Sequence, residues 1–539
     1  MQNFQKIVNH KETSQTQVIP GRAAEMQRNN YGGVNFVVSD RQFLLRFLVT
    51  GAGAGTYNVG GDVDIATGIN RLSEIITNNG MAVVKELIAF SAAGRAPKND
   101  PALYVLAMCG SCTNLDVRRL ALCPDTIAQV VRTGTHLFTF INYVGSMRGW
   151  GRALRRAIAS WYDGKNIENL TYQVLKYRQR EGYSHNRAVQ LAHPSNSGVN
   201  HQKLYKYITR PGDLTVVEDI SRDNALVSAF IEVQDVETPL RRMIELVSKE
   251  GLPWEFLPTH ALSSRDVWAA LLPKMNIGAL VRNLGKLSSI GLLVQGSEAE
   301  RIVVNKLRSK EAIQRSRIHP FNIMNALCTY QSNAGFRGSL TWRAVPRVVD
   351  ALDEAFYSSF GNVRPTGKRI MLSVDVSGSM DFTYLSSNPA MSARVGAMAM
   401  SLVTMNIEDN VIINGFSGKL VDLAVSPRRR LDDNISAVNG LTFGRTDCSL
   451  PMATAIRDNL EIDTFVIYTD NETWSGNGHP SQVLKQYRNK TGIDAKLITV
   501  CMSGSSVCGS IADPRDPGML DVVGFDTSTP SIISEFSKM

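Results

Sequence analysis

From residue 370 onward the apolar residues gather into short continuous runs, IMLSVDV, NVIINGF, DTFVIYTD and DAKLITVC. Between them lie helical patterns: MSARVGAMAMSLVTM, DCSLPMATAIRDNL and SQVLKQYRNK. A strand that is apolar on both faces needs cover on both faces. Alternation with helices supplies that cover in a mostly parallel sheet, because each parallel return takes a crossover about as long as a helix. Residues 370–539 are therefore predicted to form a doubly wound, Rossmann-like α/β domain, entered through a loop, NVRPTGKR, at 362–369.

The preceding residues follow a different grammar. Amphipathic blocks recur, broken by Gly, Pro or Asn: DRQFLLRFLV, GINRLSEIITNNG, MAVVKELIAFSAAG, PALYVLAMCGS, NLDVRRLALC, PDTIAQVVRTG, GALVRNLGKLSSIG and HPFNIMNALCTYQS. Alternating strand patterns are scarce. Many short helices joined by short turns predict a helical solenoid over 36–369, without an exact repeat unit. Residues 1–35, rich in Gln, Asn and Thr, read as a tail. At 539 residues the chain is too long for one ordinary core, which agrees with this division.

Charge separates the same two parts. Residues 371–539 carry 13 basic and 19 acidic side chains, whereas residues 1–370 carry 45 and 30. The helical part is thus strongly basic and expects a polyanionic partner, most simply nucleic acid. No apolar run reaches the ~18 residues a membrane span needs, and the polar start lacks a secretory signal core. A cytoplasmic and nuclear protein without a membrane partner is expected. Seven cysteines form no disulfide framework, and the lone CGSC at 109–112 has no second pair to complete a zinc site. GAGAG at 51–55 lacks the helix that a dinucleotide fingerprint requires and reads as a loop.

Three loops after the predicted strands carry oxygen side chains. The first, in LSVDVSGSM, holds Asp375, Ser377 and Ser379; the second, GRTD, holds Thr446; the third, YTDNET, holds Asp470. In a doubly wound sheet these loops meet at one edge. Two carboxylates and three hydroxyls are hard donors suited to Mg²⁺ or Mn²⁺, with water completing the shell, and not to zinc. Taken singly, the first loop could be only a tight turn and Thr446 only a helix cap. The ordered set resembles the metal-ion-dependent adhesion site of von Willebrand factor A domains. That resemblance implies a divalent cation, most simply Mg²⁺, whose open position takes an acidic group from a protein ligand. Chemistry is not expected. A phosphatase needs D-x-D where Ser377 stands, and neither a G-x-S-x-G elbow nor a P-loop occurs.

The basic region peaks at 148–210, with twelve Lys and Arg against Asp163, Glu168 and Glu181. Interleaved are Trp150, Trp161, Tyr162, Tyr172, Tyr177, Tyr183, Tyr205 and Tyr207. Basic groups neutralise phosphates and aromatics stack on unpaired bases, a combination that fits single-stranded or irregular RNA. IENLTYQVLKYRQREG reads as one helix ended by Gly182, with Lys176 and Arg180 projecting together. Ser184 then caps SHNRAVQLAH, which ends before Pro194. The candidate RNA-binding residues are Lys176, Arg178, Arg180, His185, Arg187 and His193.

KYRQREGYSH, LAHPSN, MNIGALVRNLGKL and LSVDVSGSM together resemble the Ro ribonucleoprotein family, a TROVE module followed by an A domain. The resemblance covers nearly the whole chain. It implies HEAT-repeat helices closed into a ring, small noncoding Y RNAs on the basic outer surface, and misfolded noncoding RNAs whose 3′ ends enter a central hole. It also implies a monomeric protein within a ribonucleoprotein, acting in RNA quality control. The alternative is a metal-dependent protein-adhesion scaffold with incidental RNA binding.

Overall fold

The computed structural model describes residues 13–538 apart from 30–31, 51–61, 93–98, 197, 336–338, 386–387, 439–444, 471–472, 503–508 and 526–528. The GAGAG segment lies outside the described residues. The chain forms two compact units. One gathers Met1–Asp64, His319–Asn325 and Phe360–Met539; the other gathers Ile65–Ile318 and Ala326–Ser359.

The described strands, in chain order, are β1 (Met26–Arg28), β2 (Val34–Phe36), β3 (Gln179–Arg180), β4 (Tyr183–Ser184), β5 (Ile370–Asp375) and β6 (Tyr384–Leu385). They continue with β7 (Asn388–Ser392), β8 (Val411–Phe416), β9 (Leu420–Asp422), β10 (Thr464–Thr469), β11 (Lys496–Cys501) and β12 (Met519–Val523). Six of them build one sheet in the order β12-β11-β10-β5-β8-β9. All its pairings are parallel except the short edge strand β9, which returns antiparallel to β8. Every residue of β5 and β10 is buried, as their unbroken apolar runs require. One face packs Met371, Phe465, Ile467 and Leu497 under the helices Leu450–Arg457 and Pro480–Thr491. The helix Ala393–Ile407 buries Ala393, Gly396, Ala397 and Ala399, small residues that permit close packing. The chain leaves β5 toward β8 on one side and later returns to β10 on the other. Strand order therefore reverses between β5 and β10, where loops diverge and leave a crevice.

The other unit is helical. Among its described residues the strands are the two-residue pair β3–β4, with one further bridge between Ala334 and Thr341. Asn114, Thr133, Asn166, Ser184, Asn224, Ser264, Asn276, Ser297 and Ser309 each cap a helix through their side chains. Each such cap contributes about 1 kcal/mol, which is why short helices hold in series here. GINRLSEIITNNG and MAVVKELIAFSAAG form one run, Asp62–Ala92, interrupted by non-helical geometry at Asn79. In the CGSC stretch, burial drives the Cys109 thiol upward, and both Cys109 and Cys112 are unbridged.

Two expectations are corrected. The first is the tail: residues 13–29 and 32–36 fold into the α/β unit. β1 and β2 form a hairpin, and Phe36 exchanges two backbone hydrogen bonds of 2.9 Å with Ser510. The second is the long helix from Ile167, which ends at Lys176. Glu181 (φ 51°) and Gly182 (φ 73°) then form a tight turn joining β3 to β4. Two successive positive-φ residues match the twist of a hairpin, and this local preference overrides the helical periodicity of KYRQREG.

Candidate nucleic-acid and cation sites

In the helical unit, Lys176 and Arg180 do not project from one helix face. Lys176 closes its helix half-buried, 3.1 Å from the Glu255 carboxylate and 5.3 Å from the centres of both the Tyr172 and Tyr177 rings. Its charge is already answered. Arg180 lies exposed on β3, with Glu181 at 3.6 Å. Arg178 is exposed, donates to Gln234 Oε1 at 2.6 Å and rests on the Phe230 ring. Arg187 stacks 5.0 Å from the centre of the half-buried Tyr183 ring, and Tyr183 in turn faces Trp150. His193 is exposed in the left-handed region (φ 53°) just past its helix.

His185 is corrected outright. It is 4% exposed, its Nδ1 lies 2.7 Å from the Tyr162 hydroxyl, and its ring packs on Phe138 and Trp161. Burial lowers its pKa to about 4. It is a neutral core histidine and meets no phosphate. Trp161, Tyr162 and Tyr205 are buried beside it and are likewise unavailable for stacking.

A stronger basic feature lies one helix earlier. Arg152–Asp163 buries Leu154, Ala157, Ile158, Trp161 and Tyr162, and so turns Arg152, Arg155 and Arg156 outward. These positions are three and four residues apart and share one face. Among the described residues no carboxylate pairs with any of the three, nor with the exposed Arg148, Arg187 and Lys206. The spacing in RALRRA carries this signal, but a count of charges does not resolve it.

In the α/β unit, Asp375 closes β5 with Ser377 and Ser379 just after it, and Asp470 follows β10, the two strands between which the strand order reverses. Asp375 ends β5 wholly buried. Its Oδ1 accepts from the Ser377 N–H at 2.8 Å and its Oδ2 from the Thr469 hydroxyl at 3.0 Å. Ser377 and Ser379 bring their hydroxyl oxygens within 3.0 Å of each other. The buried Arg394 donates to the Ser377 carbonyl at 3.2 Å and pairs with Asp381, which anchors the first loop from below. Burial raises the Asp375 pKa, and the charge of Asp470 raises it further, so the two carboxylates share one field.

Thr446 is buried, and its carbonyl accepts from the N–H groups of Trp474 and Ser475 at 3.1 Å, tying the second loop to the third. The following helix begins at Leu450, so Thr446 is not its cap. Among the described residues no three His, Cys, Asp or Glu side chains gather as metal ligands. A cation here must therefore rely on hydroxyls as well as on Asp375 and Asp470. Two mutually repelling carboxylates in a buried crevice, flanked by hydroxyl oxygens, fit a small hard cation. Asp447, which the sequence did not single out, is a brace. Its Oδ1 accepts from Ser449 N and Oγ and from Gln15 Nε2.

The family profile for the TROVE domain matches residues 27–224 and 241–332, and that for the Ro60 vWA domain matches residues 369–537. A protein of Caenorhabditis elegans named RNA-binding protein RO60 is 35% identical, over 94% of this chain and 89% of its own length. One of the same name from Deinococcus radiodurans is 34% identical over 100% of this chain and 99% of its own length. The crystal structure of the Deinococcus radiodurans RO (RSR) protein superimposes with a TM-score of 0.74 at 33% identity, covering 93% of this chain and 99% of that one. The relatives' names record RNA binding and no enzymatic activity.

Proposed function

Because this chain belongs to the Ro60 family, in which a TROVE domain accompanies a Ro60 vWA domain, we propose that it is the RNA-binding protein of a ribonucleoprotein particle. The observation that carries this reading is the exposed, unpaired face of Arg152, Arg155 and Arg156, with Arg148, Arg187 and Lys206 also exposed in the same unit. Guanidinium groups without carboxylate partners keep their full charge for phosphates. The half-buried rings of Tyr183 and Trp150 beside Arg187 offer ring surface on which an unpaired base can stack. The RNAs proposed are small noncoding Y RNAs and misfolded noncoding RNAs with single-stranded 3′ ends. Binding without catalysis, in cytoplasm and nucleus, and as a single protein copy per particle completes the reading. Crosslinking followed by sequencing of the copurifying RNA tests it: enrichment of a few small structured RNAs is expected, and RNA mirroring the bulk pool would refute it.

Within this reading Asp375, Ser377, Ser379, Thr446 and Asp470 hold a divalent cation, most simply Mg²⁺. The cation would supply a coordination point for an incoming carboxylate. One observation favours the adhesion-scaffold reading of this unit: Phe382 and Tyr384, directly after Ser379, are 69% and 56% exposed. Aromatic side chains in the open are the usual anchors of a protein contact. A chelator separates the two roles. RNA affinity should survive it, and a protein contact through the cation should not.

A further inference from the structure

Gln15 lies far from the cation crevice in sequence, is wholly buried, and spends every polar atom of its side chain on the loops around that crevice. Its Oε1 accepts from the Thr473 hydroxyl. Its Nε2 donates to Asp447 Oδ1 at 2.5 Å and to the Gly478 carbonyl at 3.1 Å. Asp447 adjoins Thr446, and Thr473 lies three residues past Asp470. One amide thus clamps the second loop to the third. The Thr473 hydroxyl extends the clamp by accepting from Cys448 N at 3.2 Å.

The main chain holds Gln15 as firmly as its side chain does. Gln15 N donates to the Gly476 carbonyl at 3.2 Å, and Gln15 O accepts from Val34 N at 2.6 Å. Around it, Asn29 Nδ2 donates to the Thr473 carbonyl at 2.7 Å, and Val34 O meets His479 Nε2 at 3.1 Å. Arg22 forms an ion pair with Asp513. The strap made by residues 13–29 and 32–36 therefore grips the segment 473–479 that follows Asp470 and reaches the second loop through Gln15.

A cation site demands oxygen positions held to a fraction of an ångström, and the groups that orient its ligands matter nearly as much as the ligands. Here the ligand loops also carry an intrinsic opposing force, since Asp375 and Asp470 repel each other whenever no cation lies between them. We propose that the amino-terminal strap is a working part of the cation site: Gln15 is a positioning residue that fixes the loops bearing Thr446 and Asp470, so that cation binding and strap docking reinforce each other. The proposal rests on the cation reading above. Reciprocity follows from linkage: whatever the strap contributes to cation affinity, the cation returns to strap docking.

The test uses the full chain and Mn²⁺ as the probe. Mn²⁺ affinity is measured by titration for the parent protein, Gln15→Leu, Thr473→Val, Thr473→Ser and Asp375→Ala, with hydrogen exchange over residues 13–36 with and without Mn²⁺. Gln15→Leu and Thr473→Val should each weaken Mn²⁺ binding about 10- to 100-fold, the range seen when orienting groups are lost. Thr473→Ser, which keeps the hydroxyl, should restore it. Mn²⁺ should slow exchange in the strap of the parent protein. Should Gln15→Leu fail to fold, Thr473→Val against Thr473→Ser decides. Parent-like Mn²⁺ affinity in Gln15→Leu and Thr473→Val, with Asp375→Ala abolishing it, would overturn the coupling and leave the cation site standing. No difference between the parent protein and Asp375→Ala would instead remove the cation site, and the coupling with it.

Discussion

Replacing Arg152, Arg155 and Arg156 together with glutamine removes three full charges from one exposed helix face. None has a carboxylate partner among the described residues, so no internal ion pair is broken and no buried charge is left behind. Each exposed change should alter stability by less than about 0.5 kcal/mol. RNA binding should respond far more. A phosphate contact contributes about 0.7 to the slope of log K against log salt on a single strand and about 0.9 on a duplex. Three lost contacts flatten the slope by about 2 to 3 and, between about 1 M and about 0.15 M salt, weaken binding roughly 50- to 170-fold. The assay is fluorescence anisotropy of a labelled small RNA across a salt series. Lys176→Gln is the informative comparison, because Glu255 already answers that charge; its slope change should fall well below one contact's value of about 0.7. The triple lysine variant, which keeps the charge, should retain the parent slope. An unchanged slope in the triple glutamine variant, or a larger loss from Lys176→Gln, would refute the assignment of phosphates to this face.

Four further outcomes are expected. Burial lowers His136, His185, His319 and His479 to about pH 4, so the unfolded chain protonates first as pH falls below about 6.5. The histidine contribution is thus intact above about pH 6.5 and is lost progressively toward pH 4, at up to about 3 kcal/mol per residue. Denaturant melts of the parent and His185→Phe should show a shallower acid dependence in the variant, and parallel curves would contradict the burial argument. Gly476→Ala should destabilise the α/β unit by roughly 2 kcal/mol or more, because φ is 129° there and a Cβ would strike the Asp447 carboxylate; a parent-like melt would disprove it. Asp375→Asn keeps a side-chain acceptor for Ser377 N while removing a buried charge, so the metal-free protein should gain about 1–3 kcal/mol and lose its Mg²⁺-dependent rise in melting temperature; a retained rise would exclude Asp375 as a ligand. Chelation should leave RNA affinity within about twofold of its untreated value, because the arginine face contains no cation ligand, and a loss beyond the tenfold that corresponds to about 1.4 kcal/mol would show the two sites coupled.

The sheet was readable because burial on both faces leaves a continuous apolar run, and β5, β8, β10 and β11 begin and end within two residues of the runs that announce them. β12 was missed for the opposite reason. It is an edge strand, two of its five residues are only half-buried, and Asp521 interrupts its apolar character. The hydroxyl-and-carboxylate cluster at the end of β5 was readable because Asp375, Ser377 and Ser379 lie within five positions of one another. The basic surface was only half readable. Charge and aromatic content located the region, but helical phase decides which aromatics face inward. Trp161 and Tyr162 fall in register with Leu154, Ala157 and Ile158, a three- and four-residue rhythm that marks them as core. The same rhythm turns Arg152, Arg155 and Arg156 outward. Phase, not composition, separates a stacking platform from a buried ring.

Gln15 marks the point at which local reading fails. It stands in a polar stretch that looks like a solvated tail, where the short VIP at 18–20 is the only run of three apolar residues after it before Met26. Its partners are Asp447, Thr473 and Gly478, and a hydrogen bond between such distant positions imposes no periodicity on either. What the sequence does show is consistent with it. Asp447 follows Thr446 with no basic neighbour but Arg445, and Gly476 leaves room where a side chain would collide with that carboxylate. A buried acid needs hydrogen-bond donors, and its own loop provides only Ser449. The missing donor had to come from elsewhere in the chain. The polar tail is the part of the α/β unit that supplies it, which is why the strap and the cation loops are best understood as one structure.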